Sequence, residues 1–483
     1  MSAPATHRLD FAALAMRGTL LQAGTRGDVF AGIAYDSRQA AAGQLFFAFP
    51  GERVDGFAFA AQAAAAGVAG IVVPRARGVP EGCAGVAVIG VDDAKLAMGD
   101  LARAVRAGFR GQVVGVTGSM GKTTTKELAA AALRPLGEVL RTPGSLNTEV
   151  GMPVTILSAT GNEAAWVLEM AMRGRGEIAY LADVARPGIG VITNVSGAHL
   201  ERLGSIEEIA RAKGELFAGL GPEGVAILPA DDPLIIAQAE PVARERRIVV
   251  DGAGPARLPV DVRVLEVIPA GVAGSVVRYA VRGTPLVVRL PLAGAHNARN
   301  GAAALAVALA AGAPLVEAAR ALETFELPPH RSAVVQAGGR VVLDDCYNAN
   351  PDAVRAALAS VVASAGAGRA FAILGDMLEI GPDADDLHRA VGRDAGGRLA
   401  GLAAVGARAE ALVAGARAAG LPAGRAVAAA SPEEAASVVA SWTAPGDWVL
   451  VKASRGMKLE RAVAALESAL RGADPNSSLA GRA

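Results

Sequence analysis

Cysteine is nearly absent: among 483 residues only Cys83 and Cys346 occur. Two cysteines exclude a disulfide scaffold and a cysteine-built zinc cluster, and they fit a reducing compartment. An excess of charge of either sign is also missing, since 47 Lys and Arg balance 47 Asp and Glu. A dedicated nucleic-acid binder carries a basic excess, so no nucleic-acid partner is expected. Disorder needs low hydrophobicity and high net charge, and the 52% hydrophobic content excludes it. Long apolar runs are lacking too. Residues Met1 to Ala15 carry His7, Arg8 and Asp10 where a signal peptide would have an apolar stretch. The longest apolar run, Gly301 to Val316, is mostly alanine. It falls short of the ~20 residues that cross a bilayer and reads as a buried helix. These absences predict a cytoplasmic protein with no membrane insertion.

What is present is a length of about three domains at ~150 residues each, rich in Gly (59 residues) and Ala. Short apolar runs alternate with Ala-rich helical stretches. Val113 to Thr117, Ala165 to Met170, Gly190 to Val195, Val341 to Asp344, Ala370 to Leu374 and Trp448 to Lys452 all read as strands buried on both faces. Strands alternating with helices predict α/β domains with mostly parallel sheets. Paired prolines in Leu327-Pro-Pro-His-Arg331 mark a linker. A second composition shift falls at Ala107 to Gly111. The expected domains are therefore 1–107, 108–327 and 328–483. Pro255 to Leu292 lacks a helical period and reads as antiparallel strands appended to the central domain. The polar tail from Asp474 is expected to fray.

The strongest local signal is Val113-Val-Gly-Val-Thr-Gly118-Ser119-Met120-Gly121-Lys122-Thr123-Thr124-Thr125. A strand runs through a glycine turn into a helix beginning near Lys122. That layout aims backbone N–H groups and a helix N-terminus at an anion. The loop is a shortened phosphate-binding pattern, because Val116 stands where the strict form has glycine. Lys122 is placed to reach β- and γ-phosphates, and Thr123 to put its hydroxyl on Mg²⁺.

Other polar residues cluster where strands end, the edge at which α/β sheets bind ligands. Glu169 ends one strand, as a Mg²⁺ ligand or as a solvated glutamate. His199, one of five histidines, follows another strand. Lys213 lies in a helical segment. For these two, a structural hydrogen bonder and a surface lysine stand beside a functional reading. Asn297 and Asn300 are three apart, hence on one helix face, as readers of a purine edge or as helix caps. Asp344-Asp345-Cys346-Tyr347-Asn348-Ala-Asn350-Pro351, Leu374-Gly-Asp376-Met-Leu-Glu379 and Lys452-Ala-Ser454-Arg455 follow three further strands. Together they suggest a ligand-facing rim.

These segments together resemble the Mur ligase family, the ATP-dependent amide ligases of peptidoglycan precursor synthesis, from about Tyr35 to Glu460. Asp344 to Pro351, Gly375 to Gly381 and Arg173 to Ile178 look most like the members that join D-alanyl-D-alanine to UDP-N-acetylmuramoyl-tripeptide. The resemblance implies an N-terminal UDP-sugar-binding domain, a central ATPase domain of P-loop type and a C-terminal Rossmann-like domain. It implies ATP held by Gly118, Ser119, Met120, Gly121, Lys122, Thr123 and Thr124, with Asn297 and Asn300 at adenine and Arg331 and Asp345 reaching over from the C-terminal domain. Two Mg²⁺ ions are implied, with Thr123, Glu169, His199 and a carbamylated Lys213 around them. Lys122, Lys213, His199 and Arg455 would be catalytic. Ser37, Arg38 and Asp55 would meet the UDP precursor, and Asn348, Asn350, Lys452 and Ser454 the incoming dipeptide. A monomer is expected. Rival readings are a folylpolyglutamate synthase or the ligase adding the third peptide residue, a P-loop regulatory ATPase, and a non-catalytic UDP-sugar binder.

Overall fold

The structure is a computed structural model that describes residues 3–51, 55–197, 203–325 and 327–472. Among the described residues three large sheets follow one another along the chain, beside a two-stranded antiparallel pairing of Thr6–Arg8 with Val29–Ala31. The first has five strands in the spatial order Thr19–Gln22, Ala87–Val91, Gly70–Pro74, Leu45–Phe47 and Ile33–Ala34. All its pairings are parallel except that of the Thr19–Gln22 edge. Helix Ala94–Gly108 leads out of it. Just beyond, Phe109 stacks on Trp166 at 4.0 Å between ring centroids and joins this region to the central sheet. Such a stack adds about 1 kcal/mol beyond the area it buries.

The central sheet has nine strands. At its heart lie β1 (Gln112–Thr117), followed by helix α1 (Lys122–Leu133), then β2 (Ala165–Glu169) and β3 (Ile189–Ile192). β1 pairs in parallel with both β2 and β3. Helix α2 (Ile206–Ala218), β4 (Val225–Pro229) and β5 (Arg247–Val250) continue the parallel series. The α2 start is legible in sequence: Ser205 caps it by accepting from the Glu208 N–H at 3.2 Å, and acidic residues fill the first turn. Alternate residues of β2 enter different cores, Trp166 and Leu168 on one face and Ala165 and Val167 on the other. Both faces are covered, which is why these strands read as unbroken apolar runs. Val262–Pro269, Ser275–Val281 and Thr284–Leu290 close the far edge as antiparallel neighbours of one another.

Helix α3 (Ala295–Ala310) packs its alanines against those of α1 in one core. The long apolar run is therefore not one helix to Val316. It breaks at Gly312, with φ +70°, and at Pro314, before a second helix over Leu315–Ala321. A proline at that point cannot continue the hydrogen-bond ladder.

The third sheet contains β6 (Arg340–Asp344), β7 (Ala370–Gly375) and β8 (Trp448–Lys452), with helix α4 (Pro351–Ala365) following β6. Its order is Ala333–Ala337, β6, β8, β7, Gly401–Val405, Ala426–Ala429. Only the Ala333–Ala337 pairing is antiparallel. The architecture is α/β with three successive parallel-dominated sheets, as expected. Residues 327–332 carry neither helix nor strand. Among the described residues no helix is long and apolar enough to cross a membrane.

Candidate active site

A cleft of about 660 Å³ opens where the carboxyl ends of β1, β2 and β3 face the carboxyl ends of β6 and β8. Its floor is the loop between β1 and α1. The chain can turn there only because two positions lack a side chain. Gly121 has φ +75°, and a Cβ on it would lie 2.6 Å from Asn300 Oδ1. A Cβ on Gly118 would lie 1.9 Å from Thr193 Oγ1. Both glycines are thus required by close approach as well as by backbone conformation. α1 begins at Lys122, so its free N–H groups point into the cleft.

The Lys122 ammonium donates to the carbonyls of Gly118 at 2.7 Å and Ser119 at 3.3 Å. Burial holds its pKa below the usual lysine value; the Glu169 carboxylate partly opposes this, and the Arg331 charge adds to it. Beside it, Thr123 Oγ1 donates to Glu169 Oε2 at 2.8 Å. The other Glu169 oxygen accepts from Asn147 Nδ2 at 2.7 Å. Glu169 is 1% exposed, so it is not a solvated strand-end residue. Its carboxylate and the Thr123 hydroxyl form a paired oxygen group at the cleft wall.

Lys213 is not on the surface either. It is 2% exposed on α2. Burial drives its pKa well below the ordinary value, and the nearby Lys122 charge adds to that. Among the described residues its ammonium has no hydrogen-bond or ion-pair partner. A bare ammonium in such a place is costly unless its chemistry changes or a counter-charge arrives. His199 lies outside the described residues.

Asn297 and Asn300 sit inside the first turns of α3, and Gly294 occupies the cap position. The capping alternative is therefore not the one adopted. Asn300 Nδ2 donates to Asn297 Oδ1 at 3.2 Å, and Thr125 Oγ1 donates to Asn300 Oδ1 at 3.3 Å. Both amides line the cleft.

The opposite wall comes from the C-terminal sheet. Arg331 stacks on the Tyr347 ring at 3.8 Å and faces the cleft. Asp345 accepts from the Ser332 N–H at 3.0 Å and pairs with Lys452. Lys452 also donates to the Asn348 carbonyl at 3.0 Å. Of the two adjacent aspartates, Asp345 faces the cleft, while Asp344 turns to His330 Nδ1 at 2.7 Å.

Family models match the chain in three stretches: the Mur ligase family catalytic domain over residues 29–106, the Mur ligase middle domain over 116–308, and the Mur ligase glutamate ligase domain over 330–455. A UDP-N-acetylmuramoyl-tripeptide–D-alanyl-D-alanine ligase of Mycobacterium tuberculosis is 40% identical over 390 residues, covering 75% of this chain and 74% of its own. The chain belongs to the Mur ligase family. Among solved structures, MurF of Acinetobacter baumannii superposes with a TM-score of 0.85 at 29% identity, over 97% of this chain and 99% of that one. MurF of Thermotoga maritima, solved in complex with ADP, gives 0.79 at 28% identity over 91% and 98%.

Asn350 lines the cleft and also caps α4 by accepting from the Ala353 N–H at 2.8 Å. Other expected positions of this family member lie off the cleft. Ser454 is buried and bridges segments, donating to the Ala349 carbonyl at 3.2 Å and accepting from the Leu378 N–H at 2.9 Å. Arg455 is exposed and pairs with Glu460 at 3.1 Å. Ser37, Arg38 and Asp55 belong to the N-terminal sheet region. Ser37 donates to Gln62 at 3.0 Å, Arg38 pairs with Asp36 at 2.7 Å, and Asp55 pairs with Arg77 at 2.8 Å. Tyr35 to Arg38 follows the parallel edge strand Ile33–Ala34.

Residues that no motif marks also reach the cleft. Asn194 clasps the loop from both sides: its Oδ1 accepts from the Met120 N–H and its Nδ2 donates to the Met120 carbonyl, each at 3.0 Å. Asp231, Asp251 and Arg299 also line the cleft. Asn194, Asp231 and Asp251 stand just past the carboxyl ends of β3, β4 and β5. That position was the available signal.

Proposed function

We propose that the chain joins D-alanyl-D-alanine to UDP-N-acetylmuramoyl-tripeptide with cleavage of ATP to ADP and phosphate, an acid–amino-acid ligase step of peptidoglycan precursor synthesis. The observation that carries this reading is the phosphate loop facing Arg331, Asp345 and Lys452 across one cleft. A carboxylate is unreactive toward an amine at neutral pH, so it must first be activated. The precursor carboxylate attacks the γ-phosphorus, giving an acyl phosphate and ADP. The amine of the dipeptide then attacks the acyl carbon, and phosphate leaves.

The main obstacle is bringing a carboxylate against a triphosphate. Lys122 is free to turn from the Gly118 and Ser119 carbonyls to phosphate oxygens, and α1 adds its N-terminal dipole. Thr123 and Glu169 are hard oxygen donors already 2.8 Å apart, which fits a Mg²⁺ ligand pair. Mg²⁺ held there would supply charge neutralisation of the phosphates. Lys213, buried and without a partner among the described residues, fits a carbamylated lysine: the modification replaces the cation with an anion that can face a metal, and His199 is proposed as a further ligand. Asn297 and Asn300 present their amides to the adenine. Arg331 and Asp345 approach the nucleotide from the C-terminal side, with Lys452, Asn348 and Asn350 toward the dipeptide and Ser454 holding the Ala349 carbonyl behind them. Ser37, Arg38 and Asp55 serve the UDP precursor. Closure about residues 327–331 would exclude water from the acyl phosphate.

Phosphate release from ATP tests the reading, measured with each amino-acid substrate singly and with both. Release that requires UDP-tripeptide and D-alanyl-D-alanine together is expected. Release that needs neither would make the protein a regulatory ATPase instead.

A further inference from the structure

Away from the triphosphate floor, three unlike donors converge behind the cleft wall. His330 Nδ1 lies 2.7 Å from Asp344 Oδ2, and Cys346 Sγ lies 3.1 Å from Asp344 Oδ1. The three donor atoms all lie within 4.8 Å of one another. Asp344 and Cys346 are buried, while the His330 side chain keeps 33% of its surface open. That exposure gives an entry path.

The backbone around the histidine is unusual. His330 has φ +65° and Ser332 has φ +51°, a left-handed region that a residue with a side chain adopts only under strain. The turn is pinned by the Tyr347 N–H on the His330 carbonyl at 3.0 Å and the Ser332 N–H on Asp345 Oδ1 at 3.0 Å. The linker is thus bent, at a cost, in a way that delivers an imidazole to a carboxylate and a thiol.

We propose that His330 Nδ1, the Asp344 carboxylate and the Cys346 sulfur form a site for a borderline-soft divalent cation of the Zn²⁺ class. Nitrogen, oxygen and sulfur donors in this mixture suit Zn²⁺ at about 2.0–2.3 Å from each, with water in the fourth tetrahedral position. Separations of 2.7 and 3.1 Å are hydrogen-bond lengths, so protons now stand where a cation would sit. A small outward relaxation opens the tetrahedral edges. Binding takes the proton from the Cys346 thiol and releases it to solvent. The imidazole proton moves from Nδ1 to Nε2, so one proton leaves per metal bound. The site differs from the Thr123 and Glu169 pair in donor type, and it stands or falls independently of the ligase reading. Its position matters because Arg331, next to His330, and Asp345, between Asp344 and Cys346, face the cleft.

The test is Co²⁺ titration of the full chain after chelator stripping. The expected result is one equivalent giving intense visible bands and a near-ultraviolet thiolate-to-cobalt band, both displaced by Zn²⁺. Cys346→Ser should lose the near-ultraviolet band, and Cys83→Ser should keep it. His330→Ala alters a partly exposed side chain, so it keeps the measurement usable if Cys346→Ser does not fold; it should lose the tetrahedral visible bands. No sulfur-linked band in the folded protein, or a band unchanged by His330→Ala, would overturn the proposal.

Discussion

The floor of the cleft and the N-terminal surface expected to meet the UDP precursor are built on opposite plans. Around the floor, Thr123, Glu169 and the nearby Lys213 are at most 3% exposed, and Ser119 and Met120 of the loop are tied to Asn194 just beyond β3. On the N-terminal surface, Arg38 is 82% exposed and pairs only two residues away, with Asp36. The difference follows from the task. Charge developing on a transferring phosphoryl group is stabilised by donors fixed in advance and shielded from water. Recognition of a long soluble precursor needs no such rigidity, and exposed ion pairs contribute little to stability. Changes at the floor should therefore strike turnover, and changes on the surface should strike affinity.

Lys122→Ala breaks the comparison most severely if it is right. It should lower ATP-dependent ligation by about 10³-fold or more and leave UDP-precursor binding intact by calorimetry. Lys213→Ala should cost about 10²-fold or more, and added short carboxylates should restore part of the rate. Full activity without them would dismiss the carbamate. Asn194→Ala removes two hydrogen bonds from the loop, each worth roughly 1 kcal/mol. A rise in the KM for ATP of about tenfold is expected, with the fold unchanged by circular dichroism. Arg38→Ala should raise the KM for the precursor by a few-fold and leave kcat alone; a fall in kcat instead would erase the distinction between the regions.

The seam between the two walls offers a final, smaller test. His296, at the start of α3, meets Ser360 of α4 at 3.4 Å. Burial pushes its imidazole pKa down to about 4 from the ordinary 6.5. The folded state thus prefers the neutral ring. Stability is full above pH 6.5 and falls as the pH drops toward 4, by up to about 3 kcal/mol. Denaturant midpoints measured across that range should slope in the parent and flatten in His296→Asn.

Much of this was legible before any folding was considered. Each strand run was apolar throughout because both sheet faces are covered, so pattern alone located the strands to within a few residues. The phosphate loop was legible for a related reason: Gly118, Gly121, Lys122 and Thr123 act through the backbone of one continuous segment. The end of the long alanine helix was missed although Gly312 and Pro314 mark it, because the apolar composition runs on past both. Nor was the burial of Lys213 legible, because a lysine on an amphipathic helix faces water until neighbouring elements cover it.

Local order in the chain was enough for the α/β alternation, the three successive sheets and the glycine turn that opens toward an anion. These depend on neighbours within a dozen residues, where sterics and hydrophobic period act directly. Packing alone decided that Asp345 rather than Asp344 meets the cleft, that Asn194 grips Met120 from another strand, and that His330 reaches Cys346. Contacts between residues distant in sequence depend on register, twist and domain placement, and no short window of residues carries those.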